Sequence, residues 1–202
     1  MDKTITYFLT PQSPWAYLGH ERLIALAKAH GAQIDFKPFD LGKVFSVSGG
    51  LPLSKRAPQR QSYRLLELAR WAAHLDLPLN VQPKFFPVQP EQAARLIIAA
   101  RTSLGAEVAL ELGGAIMRAL WAEEKNIADD ATLVQVADLC GLDGHMLLKS
   151  AATSGVQEQF DKNTDEAIAA NVFGSPWYIV GGDAFWGQDR LDFVERALSK
   201  TT

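Results

Sequence analysis

Near the start of the chain, apolar and polar residues follow the pattern of a strand, a helix and a second strand. Residues 3–9 are rich in β-branched and aromatic side chains, and apolar residues alternate with polar ones over residues 33–41, so both segments are predicted strands. Between them, Ser13 and Pro14 are residue types preferred just before and at the first position of a helix, and Gly31 suits its end. We therefore expect a β-α-β unit with parallel strands.

The middle of the chain is predicted to be helical apart from two irregular segments. Residues 44–58 contain glycines, serines and prolines with few apolar positions, which is typical of a loop. Three prolines within residues 77–89 exclude a helix there. The segments with apolar residues at helical spacing are 59–75, 91–103, 106–125, 131–140 and 144–153.

The last part of the chain returns to strands. A helix predicted over residues 157–171 is ended by Gly174-Ser175-Pro176. The remaining predicted elements are, in order, a strand over 177–180, a turn at Gly181-Gly182-Asp183, a strand over 184–186 and an amphipathic helix over 188–199.

Without the helical block, the elements run in the order βαβ-αββα, which is the order of a thioredoxin-like fold. We therefore predict an α/β protein with a thioredoxin-like fold and a large all-helical insertion. The thioredoxin-like domain is predicted to be discontinuous, with residues 1–43 and 156–202 on either side of an inserted helical domain over residues 44–155.

Composition and charge narrow the classes of function. The chain has 202 residues, of which 48% are hydrophobic and 21% charged, as in a soluble globular protein, and Cys140 is its only cysteine, which excludes a disulfide scaffold. The N-terminus lacks a basic stretch followed by an apolar run, and no apolar run approaches the roughly 20 residues that span a bilayer. We expect a cytoplasmic protein without a membrane partner, and a net charge of −3 argues against nucleic acid as the main partner.

One segment is strongly basic within this acidic chain. Between Lys43 and Arg70 there are six basic residues and one acidic residue, Glu67. Such a stretch favours an anionic ligand nearby, although a solvated basic helix face gives the same pattern.

The start of the first helix is the place where thioredoxin-fold enzymes hold their reactive group, because the free N–H groups there stabilise an anion such as a thiolate. A redox enzyme needs Cys-x-x-Cys at this place, whereas this chain has Ser13-Pro14-Trp15-Ala16. Cys140 lies far along the chain on an inserted helix and is expected to be a core thiol. We therefore do not expect dithiol redox catalysis.

Two roles are open for Ser13. Its hydroxyl can cap the helix by accepting the Ala16 N–H, or it can hold, together with the helix N-terminus, a thiolate that belongs to a ligand. A serine hydrolase is rejected because no base is near, since His20 lies two helical turns further into the helix.

Two further motifs carry candidate binding groups. Pro176 follows a helix and a glycine directly before a strand, which fits a cis-proline that leaves the Ser175 N–H and C=O exposed to an extended peptide; an ordinary trans turn is the alternative. At the start of the last helix, around Gln188 and Asp189, the free N–H groups suit a carboxylate and Asp189 suits an ammonium group, which together fit the head group of an α-amino acid. The alternative is that Asp189 is a simple helix cap.

The ordered set of motifs resembles the 2-hydroxychromene-2-carboxylate isomerases, a family within the DsbA-like thioredoxin superfamily that is close to kappa-class glutathione transferases. The resemblance covers nearly the whole chain. Its motifs are Ser13-Pro14-Trp15-Ala16-Tyr17-Leu18, Tyr63 with Arg70-Trp71-Ala72, Leu77-Pro78-Leu79, Val172-Phe173-Gly174-Ser175-Pro176 and Trp186-Gly187-Gln188-Asp189-Arg190-Leu191.

The resemblance implies glutathione as cofactor and Ser13 as the catalytic residue that activates its thiol. It implies that Ser175, beside Pro176, pairs with the glutathione backbone, and that the segment Trp186, Gly187, Gln188 and Asp189 holds the γ-glutamyl end. The implied reaction interconverts 2-hydroxychromene-2-carboxylate and trans-o-hydroxybenzylidenepyruvate in aromatic-compound breakdown.

A small aromatic carboxylate is thus the expected substrate. The candidates to bind its carboxylate are Lys43, Arg56 and Arg60, and the candidates to pack on its ring are Phe85 and Phe86, for which simple core packing is the alternative. No metal site is predicted.

Other functions fit the same site. A kappa-type glutathione transferase needs the same thiolate but releases the adduct, and a non-redox glutathione-binding or peptide-binding module needs no chemistry. A disulfide oxidoreductase is disfavoured by the missing cysteine pair. A homodimer is the assembly that we expect for this protein.

Overall fold

The computed structural model describes residues 3–200, which form a four-stranded mixed sheet and nine α-helices. The elements are β1 (Thr4–Leu9), α1 (Pro14–Ala29), β2 (Gln33–Pro38), α2 (Leu41–Ser48), α3 (Pro58–Leu75), α4 (Glu91–Leu104), α5 (Ala106–Trp121), α6 (Asp130–Leu139), α7 (Gly144–Ala151), α8 (Ser154–Ala169), β3 (Trp177–Val180), β4 (Asp183–Trp186) and α9 (Leu191–Lys200). Two short 3₁₀ turns, Leu53–Lys55 and Gln188–Arg190, precede α3 and α9.

The sheet has the strand order β2-β1-β3-β4. β1 is parallel to β2, as the crossover through α1 requires, and antiparallel to β3. β3 and β4 form a hairpin whose turn residues Gly181 and Gly182 both have positive φ values, 58° and 93°, which glycine adopts most readily. The predicted thioredoxin-like fold with inserted helices is therefore confirmed.

The predicted loop over residues 44–58 is wrong in its first part. β2 ends at Pro38, three residues earlier than expected, and α2 follows directly. Asp40 starts α2, because its Oδ1 accepts the N–H groups of Gly42 and Lys43 at 2.8 and 3.1 Å. Val44 is buried and attaches this helix to the protein.

Other boundaries differ by a few residues. α5 ends at Trp121 rather than at residue 125, and α8 begins at Ser154 and ends at Ala169. The last helix begins at Leu191, because residues 188–190 form a tighter 3₁₀ turn. Helices α1 and α6 begin at Pro14 and Asp130, within one residue of the predicted starts at Pro14 and residue 131.

The hydrophobic core extends from the sheet into the inserted helices. Tyr7 and Phe36 on the sheet belong to the same buried cluster as Ile97 of α4 and Trp121 of α5. The core therefore shows contact between the two parts of the chain, and the division into two domains stays a prediction. Among residues 3–200, no helix has the length and apolar character needed to cross a membrane.

α5 approaches β2 so closely that glycine is needed at the contact. A Cβ atom on Gly113 would lie 2.9 Å from Cζ of the buried Phe36 ring, and the ring is enclosed on all sides. We expect Gly113→Ala to lower the free energy of unfolding by about 1–3 kcal/mol, because the core must shift to admit the methyl group. Urea denaturation measures this difference.

The matched control is another helical glycine. Gly155 in α8 is exposed, and a Cβ there would meet no atom within 4 Å. Gly155→Ala is expected to leave stability unchanged or to raise it by up to about 1 kcal/mol, since alanine favours helix. Equal effects of the two substitutions would contradict the close approach of α5 to β2.

His20 is a buried histidine in α1 that stays neutral. Its Nε2 lies 2.9 Å from the Leu110 carbonyl, which can only accept, so Nε2 carries the proton, and Nδ1 faces the Tyr7 hydroxyl at 3.5 Å. Burial lowers the pKa of His20 to about 4, although the hydrogen bond to Leu110 opposes this shift.

This burial makes stability depend on pH. Below its ordinary pKa of about 6.5 the histidine takes up a proton in the unfolded chain but not in the folded one, so acid favours unfolding. We expect the free energy of unfolding to fall by about 3 kcal/mol between pH 7 and 4 through this group. His20→Gln keeps a donor for Leu110 and does not titrate, so a pH profile of unfolding as steep as that of the wild type would contradict this assignment.

Candidate active site

Two cavities of about 610 and 320 Å³ lie where the end of the sheet meets the inserted helices. The larger one is lined mainly by α3 and by residues 186–190, and the smaller one by residues 10–15, α2 and the segment around Phe86. The residues that line both are Trp15, Arg56, Arg64, Ser175 and Trp186. The two cavities therefore form one cleft with a shared wall.

Ser13 lies at the start of α1 and lines the smaller cavity. Its Oγ accepts the Ala16 N–H at 3.2 Å, so the predicted helix cap is confirmed. The same hydroxyl donates to the Ser175 carbonyl at 3.0 Å. No acidic residue lies in the first turn of α1, so the positive end of the helix dipole is not neutralised there. Ser13 thus joins the helix N-terminus to the loop before β3 and also faces the cleft.

The Ser175-Pro176 peptide bond is cis, as predicted. Ser175 Oγ accepts the Thr10 N–H at 3.0 Å, which adds a second bond between this loop and the end of β1. The expectation that both backbone groups of Ser175 are free is wrong for the carbonyl, because α1 lies close enough for Ser13 to donate to it. The Ser175 N–H donates to none of residues 3–200.

The segment from Trp186 to Asp189 forms one side of the larger cavity. The Gly187 N–H donates to the Pro176 carbonyl at 3.0 Å, and its φ of 102° suits glycine. Gln188 is buried, and its Oε1 accepts from Arg22 of α1 at 2.6 Å, so α1 holds its side chain in place.

Asp189 lies within the 3₁₀ turn and does not cap α9. Its Oδ2 accepts from Arg190 at 2.8 Å, and both side chains are about half exposed at the cavity. The interpretation of Asp189 as a simple helix cap is therefore wrong, since no side chain caps this turn. A carboxylate at the cavity wall remains available to a ligand.

Three of the five residues predicted to bind the substrate line the cleft. Arg56 lines both cavities, Arg60 the larger one and Phe86 the smaller one. Lys43 instead pairs with Asp161 of α8 at 2.8 Å and lines neither cavity. Phe85 packs against the core under Lys84 and also lines neither. Their directions follow from how α2 and the proline-rich segment pack, which local sequence does not specify.

Sequence reasoning counted Arg64 only as part of the basic segment, yet it is central to the cleft. It is 9% exposed, lines both cavities, and lies 4.9 Å from the ring centre of Phe86 and 5.8 Å from that of Trp121. Burial, with a smaller contribution from the charge of Arg56, lowers the pKa of Arg64 to about 10, so it stays charged at neutral pH. The spacing of four residues from Arg60 on α3 was the signal that could have indicated it.

Three aromatic residues of the wall were not predicted as cleft residues, whereas Trp186 was. Trp15 lines both cavities, while Tyr63 and Trp71 of α3 line the larger one. Trp186 packs edge-on against Phe173, and Gly174 leaves the room for it, because a Cβ there would lie 2.2 Å from the indole Nε1. The cleft therefore combines aromatic faces with positive charge.

Among residues 3–200, the lining of these cavities holds neither the cysteine pair of dithiol redox chemistry nor the histidine base of a serine hydrolase. No cysteine and no histidine of residues 3–200 lines either cavity. Cys140 lies at the end of α6, where burial raises the pKa of its thiol. His20 is enclosed in the core and bonded to Leu110. The cleft therefore offers a helix N-terminus, a hydroxyl and cations, which together stabilise an anion.

Comparisons with known proteins agree with this architecture. The chain is 29% identical to 2-hydroxychromene-2-carboxylate isomerase of Sphingobium xenophagum over 199 residues, covering 98% of this chain and 99% of the relative. It is 26% identical to glutathione S-transferase kappa 2 of Caenorhabditis elegans, covering 98% and 92% of the two chains. A solved structure of 2-hydroxychromene-2-carboxylate isomerase superposes with a TM-score of 0.83 at 26% identity, covering 98% and 95%.

The resemblance found from the motifs is therefore confirmed over the full length. The family model of the DSBA-like thioredoxin domain matches residues 4–199, which include the whole sheet, the cis-proline loop and all the inserted helices. The chain belongs to the family of DSBA-like thioredoxin domains.

Proposed function

We propose that this protein is a glutathione-dependent isomerase that interconverts 2-hydroxychromene-2-carboxylate and trans-o-hydroxybenzylidenepyruvate. The proposal rests on the position of the Ser13 hydroxyl, which lies at the N-terminus of α1, lines the smaller cavity and donates to Ser175, a residue that lines both cavities. Relatives that match the chain over its full length are named as isomerases of this kind, which supports the choice of reaction.

The larger cavity has the groups that the backbone and γ-glutamyl end of glutathione require. The Ser175 N–H has no partner among residues 3–200, and the Ser175 carbonyl has a second lone pair, so this residue can pair with an extended peptide. Asp189 can accept from the α-ammonium group, and Arg60 and Arg190 can donate to carboxylates. The residues present therefore fit this cofactor.

Bound glutathione would supply a thiolate for reversible addition to the conjugated system of the substrate, which permits rotation about the former double bond. Ser13 would keep its bond from the Ala16 N–H and could turn its own proton from the Ser175 carbonyl towards the sulfur. The Ser175 carbonyl is then free for a peptide N–H. The N-terminus of α1 adds a partial positive charge, so the chain holds the sulfur ionised near neutral pH.

The smaller cavity is suited to the aromatic part of the substrate. Its wall includes the rings of Phe45, Phe86 and Phe173, and it opens to Ser13 on one side. Arg56 contributes positive charge at the wall shared with the larger cavity. Its Nε donates to the Leu51 carbonyl, and its two terminal nitrogens donate to none of residues 3–200, so they can bind a ligand. Substrate and sulfur are thereby brought to the same hydroxyl.

A kappa-type glutathione transferase is the second candidate, favoured by the full-length match to glutathione S-transferase kappa 2. It needs the same thiolate but releases a conjugate. The isomerase is preferred because three relatives carry that name.

A direct assay tests the proposal. The protein is incubated with glutathione and 2-hydroxychromene-2-carboxylate, and in parallel with glutathione and a chlorinated aromatic electrophile, and both products are followed. We expect glutathione-dependent equilibration of the chromene with no loss of glutathione. Conjugate formation without equilibration would establish the transferase instead, and calorimetry without glutathione binding up to millimolar concentration would overturn both.

Ser13→Ala separates a helix cap from a catalytic hydroxyl. Removal of a hydrogen bond to the thiolate should raise the pKa of the bound thiol by about one to two units, so the turnover rate at neutral pH should fall about ten- to hundredfold. The ultraviolet absorbance of the thiolate, titrated against pH with wild type and variant, measures the pKa directly.

Asp143→Ala is the matched control for the loss of a cap. The Asp143 carboxylate accepts the Met146 N–H at 2.8 Å at the start of α7, and its loss should destabilise the protein by about 1 kcal/mol, as the loss of the Ser13 cap should. Turnover should be unchanged in Asp143→Ala. If Ser13→Ala also turns over and titrates like the wild type, Ser13 is only a cap.

A further inference from the structure

Arg64 is held in an unusual position for a charged residue. It lies on α3 with its guanidinium over the Phe86 and Trp121 rings, and it is more than nine-tenths buried. The rings support the flat face of the guanidinium and accept no proton from its edge. The edge donors therefore need partners elsewhere.

The protein itself provides none. Within residues 3–200, the Arg64 guanidinium forms neither an ion pair nor a hydrogen bond, and its Nη2 is completely buried without a partner. The charge that acts on it is that of another cation, Arg56, which lowers its pKa further. A buried charge without a counterion is strongly unfavourable, so this arrangement calls for an anion that is brought by a ligand.

Two partly buried arginines, Arg95 and Arg101, show how the protein usually satisfies such a group. Arg101 donates to the Asp35 carboxylate at 2.5 Å and to the Phe36 carbonyl, and Arg95 donates twice to the Ala151 carbonyl. Both therefore have acceptors within the protein. Arg64 is the more deeply buried residue, has no such acceptor among residues 3–200, and lines the cleft.

We propose that Arg64 binds the carboxylate of a planar aromatic acid whose ring system occupies the smaller cavity. The cavity of about 320 Å³ has mostly apolar walls, including Leu41, Phe45, Phe86 and Phe173, and Arg64 is its buried cation. An apolar cavity with a single buried planar cation matches a flat apolar ligand with one planar anionic group. The inference rests on the proposed function in assigning this cavity to the substrate.

An unpaired charge should also leave a trace in the stability of the free protein. Replacing Arg64 with methionine removes the charge and keeps most of the apolar contact with the two rings. The unliganded variant is therefore expected to melt at the same temperature as the wild type or higher. A residue whose role was structural would lower the melting temperature instead.

Binding without turnover tests the proposal. The probes are 2-naphthoate and its neutral analogue 2-naphthamide, measured without glutathione by calorimetry or by tryptophan fluorescence, since Trp15, Trp121 and Trp186 line the cavities or lie beneath Arg64. In the wild type we expect naphthoate to bind at least about tenfold tighter than naphthamide.

The variants then locate the contact. Arg64→Met should weaken naphthoate binding about ten- to hundredfold and leave naphthamide binding within about twofold, and Arg64→Lys should give an intermediate loss, because lysine keeps the charge but not the planar fork. Arg70→Met is the matched control on the same helix, since Arg70 pairs with Glu67 and lines neither cavity. It should bind both probes like the wild type.

Each other outcome overturns the proposal. Equal binding of the two probes by the wild type would show that no cation binds the carboxylate. Equal weakening of both by Arg64→Met would show that Arg64 only packs against the ring system of the ligand. Isomerase turnover is measured separately. Naphthoate binding through Arg64 without turnover would refute the proposed function alone, whereas turnover with naphthoate binding insensitive to Arg64 would refute this inference alone.

Discussion

Two chain segments 162 residues apart are joined at the cleft by the Ser13 hydroxyl, which donates to the Ser175 carbonyl. A second bond, from the Thr10 N–H to the Ser175 hydroxyl, reinforces this junction. The antiparallel pairing of β1 with β3 sets Phe8 opposite Trp177, so the segment after β1 and the segment before β3 lie at the same end of the sheet. The N-terminus of α1, the cis-proline loop and, through the Pro176 carbonyl, the Gly187 turn are therefore positioned together.

The electrostatic character of the cleft follows from this junction and from α3. The first turn of α1 has no acidic residue, and Arg56, Arg60 and Arg64 add positive charge, whereas the carboxylates of Glu67 and Asp189 each pair with a neighbouring arginine. Positive charge around apolar walls favours anions with flat apolar parts and favours the ionised form of a thiol. No cysteine of residues 3–200 lines the cleft, so the thiol that its positive charge would favour in ionised form is not one of the protein's own described residues.

Arg64 illustrates how a binding site differs energetically from a core. At the partly buried Arg95 and Arg101, the protein supplies a carbonyl and a carboxylate as acceptors. At Arg64 no described residue supplies an acceptor, so the unliganded protein carries an unfavourable buried charge that the anionic group of the proposed ligand would neutralise. Stability given up in the free protein then becomes available as binding free energy for an anion.

Local sequence determined the elements whose signals lie within a few residues. The Ser13-Pro14 helix start, the Gly181-Gly182 turn and the strand patterns predicted the outer fold, and the motif order predicted the family. The short helix α2 was missed, because its N-cap Asp40 lies within the predicted strand and its C-cap Gly49 within the predicted loop.

Only the tertiary structure decided which of the basic residues belong to the site. Lys43 and Arg64 belong to the same basic segment of the sequence, yet Lys43 pairs with Asp161, 118 residues away, while Arg64 is buried over Phe86 and Trp121. Burial and counterions depend on side chains that distant segments bring together. No pattern within α3 specifies the burial or the counterions of its basic residues. The sequence therefore showed that the segment is positively charged, but not which of its charges lie at the surface and which line the cleft.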